Sequence, residues 1–285
     1  MNKKKEQKTT IIRPQTGFFN LNLKEVIEYK DLIFLFAKRN IAVKYKQTVL
    51  GPLWLIIMPI LSALVSSFVF GDIAKIESDG LPYFLFYFAA FTLWSYFSTS
   101  FTSTATTFSS HATLFRKVYF PRLALPISNL LSGLVSFAVH VLLLVIIILI
   151  YHFTGTQITP VWGMVWLLPL LILQTALLAL GVGAIFSSIT AKYRDLAALI
   201  PIGVDLWKYL TPVVYTASLL TSGMQIFCLI NPMGPVIEAF RYIILGAGGG
   251  IFLPYLLLSW AETLIILVVG LLIFHKVERT FVDTV

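Results

Sequence analysis

The sequence predicts an all-α integral membrane protein with six transmembrane helices, an N-terminal amphipathic interfacial helix and an outer re-entrant helix. Three observations support this prediction. Of the 285 residues, 58% are hydrophobic and only 12% are charged, whereas a soluble domain carries about 25% charge. The apolar runs approach the roughly 20 residues that a helix needs to cross a bilayer, and they lack the alternation typical of barrel strands. Lys and Arg are concentrated in a few segments, as the positive-inside rule predicts for cytoplasmic loops.

The first fifty residues are predicted to form a cytoplasmic tail and then an interfacial helix. Residues 1–22 are polar and show no helical period. Residues 23–50 are too charged to cross a bilayer, but their apolar side chains recur at spacings of three and four, which predicts an amphipathic helix in the membrane interface. The alternative is a soluble helix packed on another domain, which the rest of the sequence does not supply. The apolar stripe consists of Val26, Tyr29, Ile33 and Phe36.

Six apolar stretches within residues 51–275 predict six membrane-spanning helices. Basic segments alternate with segments poor in Lys and Arg, as an even number of crossings requires. Both termini, including a short tail at residues 276–285, are therefore predicted to be cytoplasmic. Gly181 and Gly183 predict a close approach between helices. Kinks are expected at prolines within the spans, namely Pro59, Pro126, Pro169, Pro201 and Pro212. The predicted spans are Pro52–Phe70, Tyr83–Phe108, Leu123–Ile150, Trp162–Ile189, Leu196–Tyr215 and Leu253–His275.

Residues 226–246 are predicted to form a re-entrant element, or alternatively an interfacial one, on the outer side of the membrane. The stretch is apolar but interrupted by prolines, and a helix from Pro235 to Leu245 covers about half of a bilayer at 1.5 Å per residue. Glu238 and Arg241 are three residues apart, so we expect them to form an ion pair across one helical turn. The residues that define the element are Asn231, Pro232, Pro235, Glu238 and Arg241.

The second predicted span has an unusual composition for a membrane helix. It opens with aromatic residues, and then eleven of the sixteen residues from Ser95 to Ser110 are Ser or Thr. Lipid offers no hydrogen-bond partner for a hydroxyl group, so the helix is predicted to face a polar cavity or another helix. A path for carbohydrate is one interpretation, because aromatic faces bind sugar rings, and ordinary helix packing is the other. The candidate path residues are Tyr83, Tyr87, Phe91, Trp94, Phe97, Ser98, Phe101 and Thr102.

The sequence shows no recognisable catalytic or metal-binding pattern. It has no G-x-x-x-x-G-K-[ST] loop, so the chain does not bind ATP by that means. The four histidines are scattered and Cys228 is the single cysteine. No acidic pair has a spacing suited to acid–base catalysis. We therefore predict no catalytic residue, metal or cofactor on this chain.

Four ionisable residues fall in or near the predicted spans. A charge at the middle of a membrane helix costs about 2.5–3.5 kcal/mol, so each charge needs a partner or a function. The favoured interpretation is an ion pair within the bundle, between Asp205 and Lys208, and a residue near the outer interface. The alternative is a proton or ion route. The four residues are His140, Asp205, Lys208 and Glu262.

Four stretches of the sequence together resemble a known family. They are Arg39–Trp54 (RNIAVKYKQTVLGPLW), Leu114–Arg122 (LFRKVYFPR), Asn231–Arg241 (NPMGPVIEAFR) and Lys276–Asp283 (KVERTFVD). Beyond its first 20 residues, the chain is similar to the membrane subunit of bacterial ATP-binding-cassette exporters of polysaccharides, the O-antigen and teichoic-acid permease class. The motifs are specific for the family but not for the polysaccharide.

This resemblance implies a homodimer of six-helix subunits and two copies of a separate ATPase, on which ATP and magnesium bind. It also implies that the Asn231–Arg241 stretch lies near the outer exit, and it favours the carbohydrate-path interpretation of the second span. Residues 111–122 are implied to be the coupling segment that docks on the ATPase. Its named residues are Leu114, Phe115, Arg116, Lys117, Phe120, Pro121 and Arg122.

The expected function is ATP-driven export of a polyprenyl-diphosphate-linked, O-antigen-like polysaccharide across the bacterial cytoplasmic (inner) membrane. Basic groups at the interface are expected to attract the anionic diphosphate or anionic membrane lipids, at about 1 kcal/mol each. Export of teichoic acid or capsule by the same architecture is the alternative. An ion-coupled carrier and a membrane glycosyl- or acyltransferase are less favoured, and no nucleic-acid partner is predicted. The interface residues are Arg39, Lys44, Tyr45 and Lys46.

Overall fold

The computed structural model describes residues 23–45, 50–118, 120–248 and 253–284. The predicted tail at residues 1–22 and the interface residue Lys46 lie outside these ranges. The helical backbone is described at Lys44, Tyr45 and Arg116, but the positions of their side chains are not.

Twelve α-helices form the described part of the chain. Short 3₁₀ segments precede α3, α8, α9 and α10, and α3 continues as a π-helix over Ser67–Ile73. The α-helices are α1 (Leu23–Glu28), α2 (Lys30–Tyr45), α3 (Trp54–Ser66), α4 (Tyr83–Ala105), α5 (Thr107–Ser110), α6 (Ala112–Lys117), α7 (Ala124–Phe153), α8 (Leu168–Lys192), α9 (Leu199–Tyr209), α10 (Ser222–Ile230), α11 (Met233–Leu245) and α12 (Leu253–Thr284).

The helices confirm an all-helical integral membrane protein. Within the described ranges, four helical segments are long and apolar enough to cross a membrane: Gly51–Ile73, Ala124–Phe153, Trp162–Lys192 and Leu253–Glu278. A fifth is added if α10 and α11, which meet at an angle of 95°, count as one broken span. This sharp bend is compatible with a re-entrant element as well as with a broken span.

Helix α4 is long enough to cross a membrane but does not reach the hydropathy of the four spans, because of its many hydroxyl groups. It lies at the centre of the bundle, where it contacts α3, α7, α8, α9 and α11. Leu85, Phe86 and Phe88 are among its fully buried side chains. Since other helices surround α4, its residues are not required to be as apolar as those of a lipid-facing helix.

The predicted close approach at Gly181 and Gly183 is confirmed. A Cβ atom on Gly181 would lie 2.8 Å from the backbone of Leu267 on α12, and one on Gly183 would lie 2.6 Å from Cβ of Thr104 on α4. Gly270 of α12 approaches Gly181 in return, since a Cβ there would lie 2.2 Å from the Gly181 carbonyl oxygen. Helix α8 therefore packs against two neighbours through positions that tolerate no side chain.

The predicted span Leu196–Tyr215 is shorter in the structure than expected. Helix α9 ends at Tyr209, and residues 210–215 form turns rather than a kinked helix. Pro212 explains the end, because proline disfavours a helical conformation in the residue before it. Pro201 and Pro169 stand in the first turns of their helices, where the missing N–H is not needed. Pro59 is a proline in a helix interior.

Candidate functional site

The predicted coupling segment forms α5, α6 and the turn that leads into α7. Helix α4 ends at Ala105, and Thr106 interrupts the helical path with φ −102° and ψ 10°. Its hydroxyl donates to the carbonyl of Thr102 at 3.1 Å, a local bond that competes with regular helix geometry. The chain can therefore change direction at the end of α4 and present α6 as a separate helix.

An aromatic cluster holds this segment against the rest of the protein. Phe115 stacks on Phe120 with ring centroids 5.6 Å apart and lies 5.8 Å from Phe108. Phe120 contacts Phe36 of α2 at 5.5 Å, and Phe108 stacks on Phe274 of α12 at 4.6 Å. The coupling segment thus shares one small core with the N-terminal and C-terminal helices.

The apolar stripe of α1 and α2 faces this core. Val26, Ile33 and Phe36 are buried, whereas Phe34 and Leu35 are exposed. The expectation that no partner domain exists for this helix was therefore incomplete, because the bundle itself supplies the partner surface. The amphipathic period was correct, but the buried face packs on protein.

Arg122 connects the coupling segment to the end of α12. Its guanidinium donates to the backbone carbonyl of Glu278, and its backbone N–H donates to the Glu278 carboxylate at 3.4 Å. The same guanidinium lies 5.5 Å from the centroid of the Phe115 ring. Leu114 and Pro121 are half-buried, while Lys117 and Val118 are exposed. One side of the segment is therefore anchored and the other is open to a partner.

The aromatic path residues on α4 are mostly buried within the chain. Trp94, Phe97 and Phe101 each contact the ring of Trp207 on α9, with centroids 5.1 to 6.3 Å apart. Tyr83 and Tyr87 are also buried, whereas Phe91, Ser98 and Thr102 are half-buried. The Tyr83 hydroxyl donates to the carbonyl of Val214 at 2.5 Å. The assignment of these residues to a path stays a prediction, and the contacts of the buried ones are packing contacts.

The hydroxyl-bearing face of α4 borders an open cavity shared with α2 and α7. This cavity has a volume of about 730 Å³. Helix α2 covers one end of it, since the Asn40 side-chain amide donates to Asn129 of α7 at 2.9 Å. The lining residues are Arg39, Asn40, Ile41, Val43, Thr99, Thr102, Ser103, Thr106, His111, Asn129, Ser132, Gly133 and Ser136.

A second cavity of about 450 Å³ continues the first toward α3. The two share Thr99 and Ser136 as lining residues, so they are adjacent, and we call the two cavities together the hydroxyl groove. It extends along α4 from Phe91 to Thr106, about 22 Å at 1.5 Å per residue. The second cavity is lined by Trp54, Leu55, Met58, Pro59, Ser62, Phe91, Ser95, Thr99, Ser136 and His140.

Sequence reasoning missed the contribution of α7 to this groove. Asn129, Ser132, Ser136 and His140 recur at spacings of three and four within an otherwise apolar helix, and all four line the groove. This polar stripe was a readable signal, because residues at such spacings share one face of a helix. Likewise, Thr99 and Ser103 on α4 share a face with the predicted Thr102.

The groove is basic at its α2 end. Arg39 and His111 line it there, and the Arg39 guanidinium lies 5.2 Å from the centroid of the Phe36 ring. Burial lowers the pKa of His111, its hydrogen bond to the Thr107 carbonyl opposes this effect, and the nearby charge of Arg39 lowers the pKa further. His111 is therefore mainly neutral near pH 7, and Arg39 supplies the positive charge.

The predicted ion pair between Glu238 and Arg241 is confirmed. Nη2 of Arg241 lies 3.4 Å from Oε1 of Glu238, and both side chains are almost fully buried. Oε1 of Glu238 also accepts a hydrogen bond from the backbone N–H of Ala217 at 3.0 Å, and Arg241 donates to the carbonyls of Pro212 and Tyr215. The pair thus joins α11 to the turns that follow α9.

Asn231 and its neighbours shape the bend between α10 and α11. The Asn231 carboxamide oxygen accepts from the indole N–H of Trp207 at 3.1 Å and from the backbone N–H of Met233 at 3.2 Å. The Pro232 carbonyl accepts from the hydroxyl of Ser259 at 2.5 Å, and Pro235 is buried. These bonds replace the helical ones that are lost at the bend.

The interpretation of Asp205 and Lys208 as an ion pair is wrong. In the described part of the chain Asp205 is exposed and makes no ion pair, and the ammonium group of Lys208 lies 5.1 Å from the ring centroid of its neighbour Tyr209. Glu262 is half-buried, and its Oε2 atom has no described hydrogen-bond partner. His140 is buried, with its ring 6.3 Å from that of Phe91. Across the described residues, no three His, Cys, Asp or Glu side chains are arranged to hold a metal ion.

The fold and these sites define a multi-pass helical membrane protein with a buried central helix and a polar groove beside it. The chain belongs to the ABC-2 type transporter family, whose model matches residues 31–245. Two O-antigen export system permease proteins RfbA of Klebsiella pneumoniae are 26% and 25% identical to it over 253 residues, which cover 89% of this chain and 94% of each relative. A protein of the same name from Myxococcus xanthus is 27% identical over 223 residues, or 78% of this chain and 83% of that protein. These findings confirm the resemblance to permeases of ABC polysaccharide exporters.

Proposed function

We propose that this chain is the permease subunit of an ATP-driven exporter that moves a polyprenyl-diphosphate-linked, O-antigen-like polysaccharide outward across the cytoplasmic membrane. The observation that carries the proposal is the family membership together with relatives that match over most of their length and are named for O-antigen export. Such coverage supports a shared role for the whole chain.

We further propose a homodimer that works with two copies of a separate ATPase, which binds ATP and magnesium. The geometry at the end of α4 supports a docking role for residues 111–122. Lys117 and Val118 are exposed, whereas Phe120 is buried. A push on the exposed side would be transmitted to α2 and α12 through the aromatic cluster, since packed cores move as units rather than deforming continuously.

The proposed topology has six crossings with both termini in the cytoplasm. The four apolar segments supply four crossings. Helix α4 supplies the second crossing in chain order, and α9 with the turns up to Tyr215 supplies the fifth. In this arrangement α10 and α11 form the re-entrant element near the outer exit, where the buried Glu238–Arg241 pair reduces the cost of charge in an apolar setting.

The aromatic residues of α4 and the interface residues are assigned to substrate handling within this proposal. The proposed interface site consists of Arg39, Lys44, Tyr45 and Lys46, and its three basic residues attract the anionic diphosphate. Phe91, Ser98 and Thr102, which are half-buried, are the path residues on α4 that remain accessible to a glycan. The remaining candidate path residues support the path by packing within the bundle. They are Tyr83, Tyr87, Trp94, Phe97 and Phe101.

Co-expression with an ABC ATPase subunit tests this function. A tagged chain is expected to retain the ATPase through purification and to restore cell-surface polysaccharide in a strain that lacks its own O-antigen permease. An ATPase variant that cannot hydrolyse ATP is the control and abolishes export without loss of the complex. Export that continues without any ATPase would refute the proposal and favour an ion-coupled carrier. Analysis of the exported glycan distinguishes O-antigen from teichoic acid and capsule.

A further inference from the structure

Some hydroxyl groups of the hydroxyl groove make no hydrogen bond to the residues that the structure describes. Ser103, Thr106 and Ser132 donate their hydroxyl protons to carbonyls of their own helices at 2.5 to 3.4 Å. In contrast, four other lining hydroxyls make no hydrogen bond within the described residues. Hydroxyl groups both donate and accept hydrogen bonds, so the groove suits an occupant that carries donors and acceptors of its own. The four are Ser95, Thr99, Thr102 and Ser136.

The charge of the groove restricts the chemistry of this occupant. Arg39 is the arginine at its α2 end, and the lining described for the two cavities includes no Asp or Glu. Arg39 is exposed and forms no ion pair with a described acidic residue. A guanidinium group binds phosphate through paired N–H donors. The groove therefore suits an anion and disfavours a cation.

The opposite end of the groove is mostly apolar, although Ser62 and His140 also line it. Trp54, Leu55 and Met58 of α3 line it together with Phe91 of α4. Along its length of about 22 Å, the groove thus changes from a cationic end through a band of hydroxyls to aromatic and aliphatic side chains. The order of charge, hydroxyl and hydrocarbon matches that of a lipid with a phosphorylated headgroup.

We propose that the hydroxyl groove binds a lipid whose phosphorylated headgroup carries hydroxyl groups, with the phosphate at Arg39 and the headgroup hydroxyls against Thr99, Thr102 and Ser136. Two lipids share this chemistry. One is the polyprenyl-diphosphate-linked glycan, and its presence here rests on the proposed function. The other is a bilayer phospholipid with a free hydroxyl, such as phosphatidylglycerol. In either case the site lies within one subunit and differs from the aromatic packing around Trp207.

Photo-crosslinking with defined lipids tests this proposal. The full-length chain is placed in nanodiscs of phosphatidylethanolamine with one of three probes, each carrying a diazirine in its apolar chain. The probes are polyprenyl-diphosphate N-acetylglucosamine, phosphatidylglycerol, and diacylglycerol, which has no phosphate. Mass spectrometry then identifies the labelled peptides. At least one phosphorylated probe is expected to label peptides of α3 and α7 that line the groove more strongly than diacylglycerol does.

Variants establish that the labelling depends on the groove. The double variant Thr99→Val/Thr102→Val removes two unsatisfied hydroxyls with little change of shape, and labelling is expected to fall about tenfold. Thr92→Val on the same helix is the matched control, because the Thr92 hydroxyl is buried and already bonded to the Phe88 carbonyl at 2.8 Å. Arg39→Gln changes an exposed side chain, so it provides a second test that does not depend on the stability of the bundle.

Each outcome decides the proposal. Labelling by the polyprenyl probe supports it with the exported lipid as the source, and labelling by phosphatidylglycerol supports it with a bilayer lipid as the source. Equal labelling by diacylglycerol, or labelling unchanged in both groove variants, overturns it. A chain that exports polysaccharide without groove labelling disproves this site and leaves the proposed function intact. Groove labelling without ATPase-dependent export supports this site and disproves the proposed function.

Discussion

The Arg241 guanidinium lies 4.0 Å from the centroid of the Phe86 ring, which joins α11 to the central helix α4. The same group pairs with Glu238 on its own helix and donates to the carbonyl of Pro212 beyond the end of α9. One buried cation therefore connects three parts of the bundle that lie far apart in sequence. A cation over an aromatic face gains most where water is excluded, as it is here.

Removal of this cation is expected to destabilise the protein strongly. Arg241→Met leaves the Glu238 carboxylate buried without its partner, which costs about 3–5 kcal/mol. The thermal midpoint of the purified protein in detergent, followed by tryptophan fluorescence, is the measurement. Lys208→Met is the control, since that half-buried ammonium makes no ion pair in the described structure. The double variant Glu238→Gln/Arg241→Met should recover part of the loss, and equal midpoints for Arg241→Met and Lys208→Met would contradict this role.

Helix α8 is expected to tolerate no side chain at Gly181. A Cβ there would approach the Leu267 backbone to 2.8 Å, so Gly181→Ala forces α8 and α12 apart and costs about 1–3 kcal/mol. Gly203→Ala on α9 is the matched control, because nothing lies within 4 Å of its Cβ position and alanine is about 1 kcal/mol better than glycine in a helix. Gly181→Ala should lower the thermal midpoint and Gly203→Ala should leave it unchanged or raise it. If the thermal midpoint changed in the same direction in both variants, the result would contradict close backbone contact between α8 and α12.

Contact with the ATPase is expected to depend on the exposed side of the coupling segment. Val118 is 55% exposed, so Val118→Asp alters the surface without disturbing the aromatic cluster. We expect this variant to insert normally but to lose the ATPase in a pull-down experiment. Glu77→Lys is the control, since Glu77 is an exposed residue in the segment between α3 and α4. Full retention of the ATPase by Val118→Asp would place the docking surface elsewhere. Phe115→Asp is a less specific test, because Phe115 packs on Phe108 and Phe120.

The path prediction and the packing interpretation of α4 predict different results for two phenylalanines. Phe97 is fully buried against Trp207, so Phe97→Ala removes core contacts worth about 3–5 kcal/mol and should lower the amount of folded protein. Phe91 is half-buried and lines the groove, so Phe91→Ala should lower export per folded molecule more than it lowers protein level. Quantitative blotting and surface polysaccharide assays measure the two quantities. Proportional losses of level and export at Phe91 would favour packing there as well.

Several features of the fold were predictable because they depend on neighbours along one helix. The Glu238–Arg241 pair follows from a spacing of three residues, and the close contacts at Gly181 and Gly183 follow from the absence of a side chain. The hydroxyl-rich composition of α4 likewise indicated that it does not face lipid alone. Its central position in the bundle agrees with that inference.

Other features were wrong or missed because they depend on contacts between distant residues. Asp205 and Lys208 have the same spacing as Glu238 and Arg241, yet they do not pair, since both are at least partly accessible and nothing forces them together. The shortened α9 reflects turn formation before Pro212, which the apolar composition of the stretch concealed. The groove requires polar residues from α4 and α7 to face each other. The polar stripe on each helix is visible in the sequence, but it does not reveal which other helix it faces.

The sequence by itself determined the class of this protein: a helical membrane protein, the approximate position of its apolar segments, and the separation of its basic and apolar regions. These properties depend on composition and on spacing within single helices, where transfer of apolar groups from water sets the outcome. The tertiary structure alone decided that the stripe of α1 and α2 packs on protein, that aromatic residues of α4 contact Trp207, and that Asn40 meets Asn129 across 89 positions in the chain. Those outcomes follow from the three-dimensional packing of helices, which local periodicity does not specify.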